Sequence, residues 1–344
     1  GALLDTCAKA GDLASGKRFW NEMKDDGIQH SVVSFTAMIN IYAEDSNPGN
    51  CKHHLKSCQT LLREMKKKNV KPNNQTYNSL IKVCARGGMM TEAMQTIQFM
   101  KKDKNVPDVV TYNTLIDGFA SATHLGKKEI QSNMNTLLRE MEASGVKPNV
   151  ITATSCIEVC TMCGDLDGAQ RYFQNMKRWG LEPDEKTYGS LVKSHEKLED
   201  RTDKKAYMKS CQDLIEEMET TGLTADRECY TSLISACANV RDLDAAFTIW
   251  NTVRQRNFQP DVCLFGAMIK ACLSVEDLDK ADQFLQQMKT EGIEPSPIIF
   301  STFFNYFHQK NMESHAEELY QKVKQLGIEL HPQLRTIIKK FNLT

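Results

Sequence analysis

Apolar residues recur along this chain at spacings of three and four, in paired short runs divided by helix breakers. Between positions 109 and 149, Tyr112, Leu115, Ile116 and Phe119 form one stripe, and Met134, Leu137, Leu138 and Met141 form another. Such spacings place side chains on one face of a helix. Neither helix can bury its stripe alone, so the two should close into a hairpin and stack on neighbouring pairs. The pattern returns as Thr76-Tyr77-Asn78-Ser79-Leu80-Ile81, Thr187-Tyr188-Gly189-Ser190-Leu191-Val192 and Cys229-Tyr230-Thr231-Ser232-Leu233-Ile234. A second phrase answers it at 61–66, 137–142 and 214–219, built on Glu-Met after a pair of aliphatic residues. Gly, an aliphatic residue and often Pro then follow. A fixed period of this kind has to be tested before any other reading of the fold.

The period divides the chain into units at 1–31, 32–73, 74–108, 109–149, 150–184, 185–226, 227–261, 262–296 and 297–331, with 332–344 as a capping helix. This predicts an all-α fold, an α-solenoid superhelix of about nine helix-hairpin repeats, forming a single domain over 1–344. The first unit should hold helices over 2–10 and 13–25. It lacks its opening residues, and the chain begins at Gly1 without Met, so it reads as a fragment. Pro72, Pro107, Pro148, Pro183, Pro260 and Pro295 each precede the last residue of a unit and stop the preceding helix. Successive first helices should therefore lie side by side. The second, fourth and sixth units are longer. Their extra residues fall around Asp45–Asn50, Thr123–Lys128 and Glu199–Lys205, between the helices or lengthening the second one.

Composition fits a folded protein, with 41% hydrophobic and 25% charged residues. No apolar run approaches the length of a membrane span, so no membrane partner is expected. Twelve cysteines follow the period rather than a disulfide pattern. Cys7, Cys84, Cys160, Cys237 and Cys272 share one place late in a first helix, where a small apolar side chain suits a core, and a reducing compartment is implied. Cys160-Thr161-Met162-Cys163 has the CxxC form but lacks the second pair that a zinc site needs. His53 and His54, beside Cys51 and Cys58, are read as a solvated helix face. Met65, Met100, Met141 and Met176 are read as core, and Trp20, Trp179 and Trp250 as packing residues. The net charge of −1 gives no global basic field of the sort that nucleic-acid binders often carry.

VTYNTLIDGFA at 110–120 and LLREMEASGVKPN at 137–149 resemble the pentatricopeptide repeat, and the resemblance extends over essentially the whole chain. The Pro-Asp/Asn ending separates it from the tetratricopeptide pattern. The resemblance implies a solenoid that binds single-stranded RNA in a mitochondrion or chloroplast and acts in RNA stability, processing or translation. In that family the fifth and last residues of a repeat read one base. On that basis Thr36 with Asn73 resembles an adenine reader, Asn78 with Asp108 a uracil reader, and Asn113 with Asn149 a cytosine reader. Thr154 with Asp184, and Thr231 with Asp261, resemble guanine readers. A site of the form A-U-C-G, running 5′ to 3′ from the second unit to the fifth, is the implied target. The aliphatic second residue sandwiches bases in the family, which points to Val33, Val110 and Ile151.

The family often carries Lys at the thirteenth place, on the RNA groove. Here Lys9, Arg86 and Lys197 are the basic residues at that place, and Glu44 is acidic. Gly189 and Gly266 leave no reading side chain in the sixth and eighth units. Ser301 with His331 falls outside the usual pairs, and Glu228 puts a carboxylate at the sandwich position of the seventh unit. A polar fifth residue also has a plainer reading, as a helix-start cap. No catalytic residue, metal, cofactor or small-molecule substrate is indicated, and enzyme activity is not expected from this array. The alternative is a structural scaffold in an organellar ribosome or other ribonucleoprotein assembly, with ribosomal or similar subunits as partners.

Overall fold

A computed structural model describes residues 2–45, 48–122, 124–196, 204–256, 258–325 and 332–341. Every described element is helical, and the chain forms two compact units, Gly1–Pro183 and Asp184–Thr344. The first contains α1 (Ala2–Ala10), α2 (Leu13–Asp25), α3 (Val32–Glu44), α4 (Cys51–Lys67), α5 (Asn74–Arg86), α6 (Met90–Lys102), α7 (Val109–Ser121), α8 (Lys127–Ala143), α9 (Val150–Met162) and α10 (Leu166–Arg178). The second contains α11 (Glu185–Glu196), α12 (Lys204–Thr220), α13 (Arg227–Val240), α14 (Leu243–Gln255), α15 (Val262–Ser274), α16 (Leu278–Thr290), α17 (Pro297–Lys310), α18 (Glu313–Gln325) and α19 (Pro332–Lys339). Within each unit a first helix packs on its own second helix and on the next first helix. The expected side-by-side row of first helices is present in both units.

Two backbone stops set the period. Six second helices end where the N–H of an aliphatic residue donates to a methionine carbonyl five residues back: Ile28 to Met23, Val70 to Met65, Val146 to Met141, Leu181 to Met176, Leu223 to Met218 and Ile293 to Met288; α6 closes on Met100 through Asn105, and α14 on Val253 through Phe258. This is the Schellman closure, which needs a left-handed residue before the aliphatic one. Gly145 (φ 75°), Gly180 (φ 70°), Gly222 (φ 81°) and Gly292 (φ 75°) supply it. First helices end the same way on the recurrent cysteines, with Asp165 N–H donating to the Cys160 carbonyl and Asp277 N–H to that of Cys272. The side chains of Asp12, Asp165, Asp242 and Asp277 then cap the following helices. One short segment thus ends one helix and starts the next. The cysteines here are buried, and burial pushes the Cys84 and Cys160 thiols up to about 12. They are protonated core groups at neutral pH.

Met65, Met100, Met141 and Met176, with Tyr112, Leu115, Ile116 and Phe119, are all fully or almost fully buried, as the stripes require. Tyr112 bonds Ser144 at 3.2 Å, and Tyr77 and Tyr188 donate to Asp103 and Glu217. Each phenol thus ties a first helix to the far end of its own second helix.

Part of the extra length in the long units is helix. α4, α8 and α12 have 17 residues, against 13 in α6, α10 and α14. Each long unit therefore gains about one turn. Residues 1, 46, 47, 123, 197–203, 257, 326–331 and 342–344, which include Lys197, His331 and part of each insert signal, lie outside the described residues. His54 corrects the solvated-face reading. It is buried against Tyr42 with a ring separation of 5.3 Å, and its Nε2 is 3.2 Å from Asp45, while His53 is exposed. The helical period puts His54 on the same face as Leu55, Cys58 and Leu61, which sequence charge alone conceals.

Met141→Ala should lower stability by about 2–5 kcal/mol, because it empties a fully buried site. Met162→Ala, at a side chain that is 54% exposed, should stay within about 0.5 kcal/mol of wild type. Urea unfolding followed by circular dichroism compares them, and equal losses would show that the stripe is not the core.

Candidate nucleic-acid interface

The last residue of a repeat, rather than the fifth, starts the next repeat's first helix. Asn73, Asp108 and Asn149 have extended backbones, and each Oδ1 accepts from the backbone N–H of Thr76, Thr111 or Thr152 at 2.9 Å. Asp226 and Asp261 cap α13 and α15 likewise. Thr36, Asn78 and Asn113 sit beyond the four amides that need caps. The plainer reading of the fifth residue as a helix start is therefore corrected.

What the fifth residue does is reach forward. Thr111 Oγ1 lies 2.7 Å from Asn78 Oδ1 and 2.8 Å from Asp108 Oδ1. A hydroxyl has one proton, so it donates to one of these oxygens at a time. Asn78 Nδ2 donates to Asp108 Oδ1 at 3.4 Å and closes the triangle. One repeat on, Thr152 Oγ1 lies 2.7 Å from Asn113 Oδ1 and 2.9 Å from Asn149 Oδ1, and Asn113 Nδ2 donates to Asn149 Oδ1 at 3.4 Å. One repeat earlier, Thr36 and Thr76 hydroxyls are 2.7 Å apart, and Thr76 reaches Asn73 Oδ1 at 2.9 Å. The paired residues Thr36/Asn73, Asn78/Asp108 and Asn113/Asn149 are thus brought together in three consecutive repeats. The joining threonine, third in its repeat, was missed by sequence reasoning. Its signal was the polar side chain three residues after each capping Asn or Asp.

Elsewhere the sites differ. Thr154 is buried on α9 in the first unit. Asp184 accepts from the backbone and hydroxyl of Thr187 at 2.8 and 2.7 Å in the second unit. Thr231 and Asp261 are not joined by a hydroxyl, because Leu264 stands at the third position. The Thr231 hydroxyl bonds back to the Arg227 carbonyl at 2.9 Å, and the Arg227 guanidinium meets Asp261 at 3.3 Å. At Gly189 and Gly266 an added Cβ would meet only Cys229 Sγ or Ile299 Cγ1, each at 3.6 Å. Those sites lack a reading side chain but have room for its first carbon.

The second residues face outward. Val33, Val110 and Ile151 are 59%, 54% and 60% exposed, and Ile298 in the ninth repeat is 75% exposed. Aliphatic side chains held this far out of the core offer platforms for a flat apolar surface. A groove of about 720 Å³ in the first unit is lined by Asn78, Asp108 and Val110 together with Asn40, Lys82 and Arg86. Arg86 is not a free cation. Its Nη1 donates to the Ala43 carbonyl at 2.5 Å and lies 3.5 Å from Glu44 Oε2. Lys82, one turn earlier and also missed from sequence, pairs with Glu44 Oε1 at 2.5 Å. Glu228 is held by Lys193 in the second unit. Burial alone would raise the Asp108 carboxyl. Hydrogen bonds from the Thr111 backbone and hydroxyl, and from Asn74 and Asn78, outweigh it and hold the group below the ordinary carboxylate range.

Family models match most of the chain: the pentacotripeptide-repeat region of PRORP over residues 2–137, the PPR repeat family over 148–197, and the pentatricopeptide repeat domain over 213–274 and 249–310. A chloroplastic pentatricopeptide repeat-containing protein of Arabidopsis thaliana is 23% identical over 212 residues, or 60% of this chain and 25% of that protein. A mitochondrial one from the same plant is 25% identical over 192 residues, or 56% and 31%. The chain spans between 23% and 41% of the length of such relatives. The crystal structure of the pentatricopeptide repeat protein PPR10 from maize is similar in fold, with a TM-score of 0.55 at 19% identity over 97% of this chain and 54% of that one.

Thr111→Val should cost about 1–2 kcal/mol by taking the shared donor from two part-buried oxygens. The Asp108 contribution is complete above its unfolded pKa, near 4, and is lost as pH falls through the lower folded value. The gap between wild type and variant should therefore narrow on acidification. Urea titrations at several pH values check this; a constant gap would mean that Thr111 does not act through Asp108.

Proposed function

The chain belongs to the pentatricopeptide repeat family, and on that footing we propose that it binds single-stranded RNA with sequence selectivity in the RNA metabolism of a mitochondrion or chloroplast. Stability, processing or translation of a transcript is the level at which it acts, and its activity is binding, not catalysis. The observation that carries this reading is the joining of fifth and last residues in three consecutive repeats, with an exposed aliphatic side chain beside them. Unstacked bases expose both a hydrogen-bonding edge and a flat face. The amide and carboxylate pairs suit the edge, and Val33, Val110 and Ile151 suit the face. Within the first unit the family pairs read A, U and C from Thr36/Asn73, Asn78/Asp108 and Asn113/Asn149.

A second reading rests on one observation. Lys82, Arg86 and Lys193 each lie against a carboxylate, which weakens the field a phosphate backbone would meet. A scaffold subunit of an organellar ribosome or other ribonucleoprotein assembly needs no such field. Titration with random single-stranded RNA at two salt concentrations separates the readings, since a scaffold of this kind should bind none even at low salt.

In fluorescence anisotropy with a short RNA carrying A-U-C, Asp108→Asn should move the preference at the middle base from uracil toward cytosine, by about tenfold. It makes that pair match Asn113/Asn149 and turns an acceptor into a donor. Equal affinity for both bases in both proteins would dispose of base reading by this pair.

A further inference from the structure

The first-unit groove has a cation pair and, built against it, an anion from the chain itself. Lys82 and Arg86 lie one turn apart on α5, and Glu44 is the last residue of α3, the neighbouring first helix. One Glu44 oxygen is 2.5 Å from Lys82 Nζ and the other 3.5 Å from Arg86 Nη1, so a single carboxylate spans both cations. All three side chains are partly exposed, so a solute anion can reach the same place. Lys82 and Arg86 share their groove with Asn78, Asp108 and Val110. A phosphate diester carries one negative charge on two free oxygens, as a carboxylate does, and would meet the same two donors.

We propose that Glu44 is an internal counter-ion that occupies a phosphate-binding position formed by Lys82 and Arg86, and so restrains RNA binding in the first unit. This rests on the RNA-binding reading above and adds a competitor to it. A backbone phosphate enters by displacing the carboxylate, which then swings toward solvent. The displaced ion pair subtracts from the gain, so each such contact yields less affinity than a free lysine would give. It also yields less salt dependence, because the cations exchange a protein carboxylate rather than solution anions. In the second unit Lys193 is likewise paired with a carboxylate, that of Glu228, though as a single ion pair. Affinity is thereby made to depend on base and apolar contacts more than on the backbone, which favours discrimination over tight non-specific binding.

The test titrates wild type, Glu44→Gln, and Lys82→Gln/Arg86→Gln with and without Glu44→Gln, using a short fluorescein-labelled single-stranded RNA across a salt series. Gln keeps the shape and removes the charge, and circular dichroism melting confirms that each variant is folded. Glu44→Gln should bind about fivefold tighter at low salt. Its logarithmic salt slope should steepen by about 0.7 for each phosphate contact released. In the Lys82→Gln/Arg86→Gln background, Glu44→Gln should change neither quantity. If wild type binds RNA and Glu44→Gln matches it in affinity and slope, the internal counter-ion is overturned while RNA binding stands. If neither binds, the RNA-binding reading itself falls and takes this proposal with it.

Discussion

A helix of 13 residues with one apolar stripe is marginal alone in water. The architecture depends on turning each such helix back within about three residues so that stripe meets stripe. The turn is built from backbone chemistry that side chains only permit. A methionine or cysteine carbonyl accepts from an amide five residues on, a left-handed residue makes the reversal, and an aspartate often caps the next helix. Because the reversal is alike in successive repeats, the N-termini of first helices fall in a row within each unit. The fifth residues, the capping residues and the exposed aliphatic positions inherit that order without any interaction of their own to impose it.

The capping geometry also fixes what each last residue can show a ligand. Asn73, Asp108 and Asn149 commit Oδ1 to a backbone amide and a threonine hydroxyl. The remaining atom of the fork then differs by residue type: an amide nitrogen in Asn, which donates, and a second carboxylate oxygen in Asp, which accepts. A side chain that is ambiguous in isolation becomes a donor or an acceptor by being anchored. On the proposed RNA-binding reading, structural cap and base reader are one arrangement, with the cap supplying the orientation that reading requires.

Much of this was legible in the sequence because it is local. The period of three and four placed Tyr112 and Met141 in the core, prolines marked the repeat ends, and Cys84 and Cys160 followed the apolar face. What was hidden depends on partners a repeat away. Nothing within α5 shows that Arg86 and Lys82 will meet Glu44, 42 and 38 residues earlier. His54 looked like part of a polar run until its face was known, and the threonine bridge needs two adjacent repeats to exist at all. The fifth and last residues of a repeat were paired through family resemblance; sequence periodicity alone gives no reason for Asn78 to find Asp108.

The two units then differ for a reason that lies at the third position. In the first unit Thr76, Thr111 and Thr152 carry a hydroxyl between fifth and last residues. In the second, Thr187 keeps a hydroxyl against Asp184, but Cys229, Leu264 and Ile299 take that place in the later repeats and are buried. An apolar side chain there strengthens the contact between successive first helices, but it cannot orient a neighbouring amide or carboxylate. Asp261 accordingly takes a guanidinium from Arg227, and the Thr231 hydroxyl turns back to its own helix. From Cys229 onward the second unit gains packing at the position where the first holds a hydroxyl. Gly189 and Gly266 fall where the following repeat offers Cys229 or Ile299 in place of a threonine, so nothing there would have aimed a longer polar side chain.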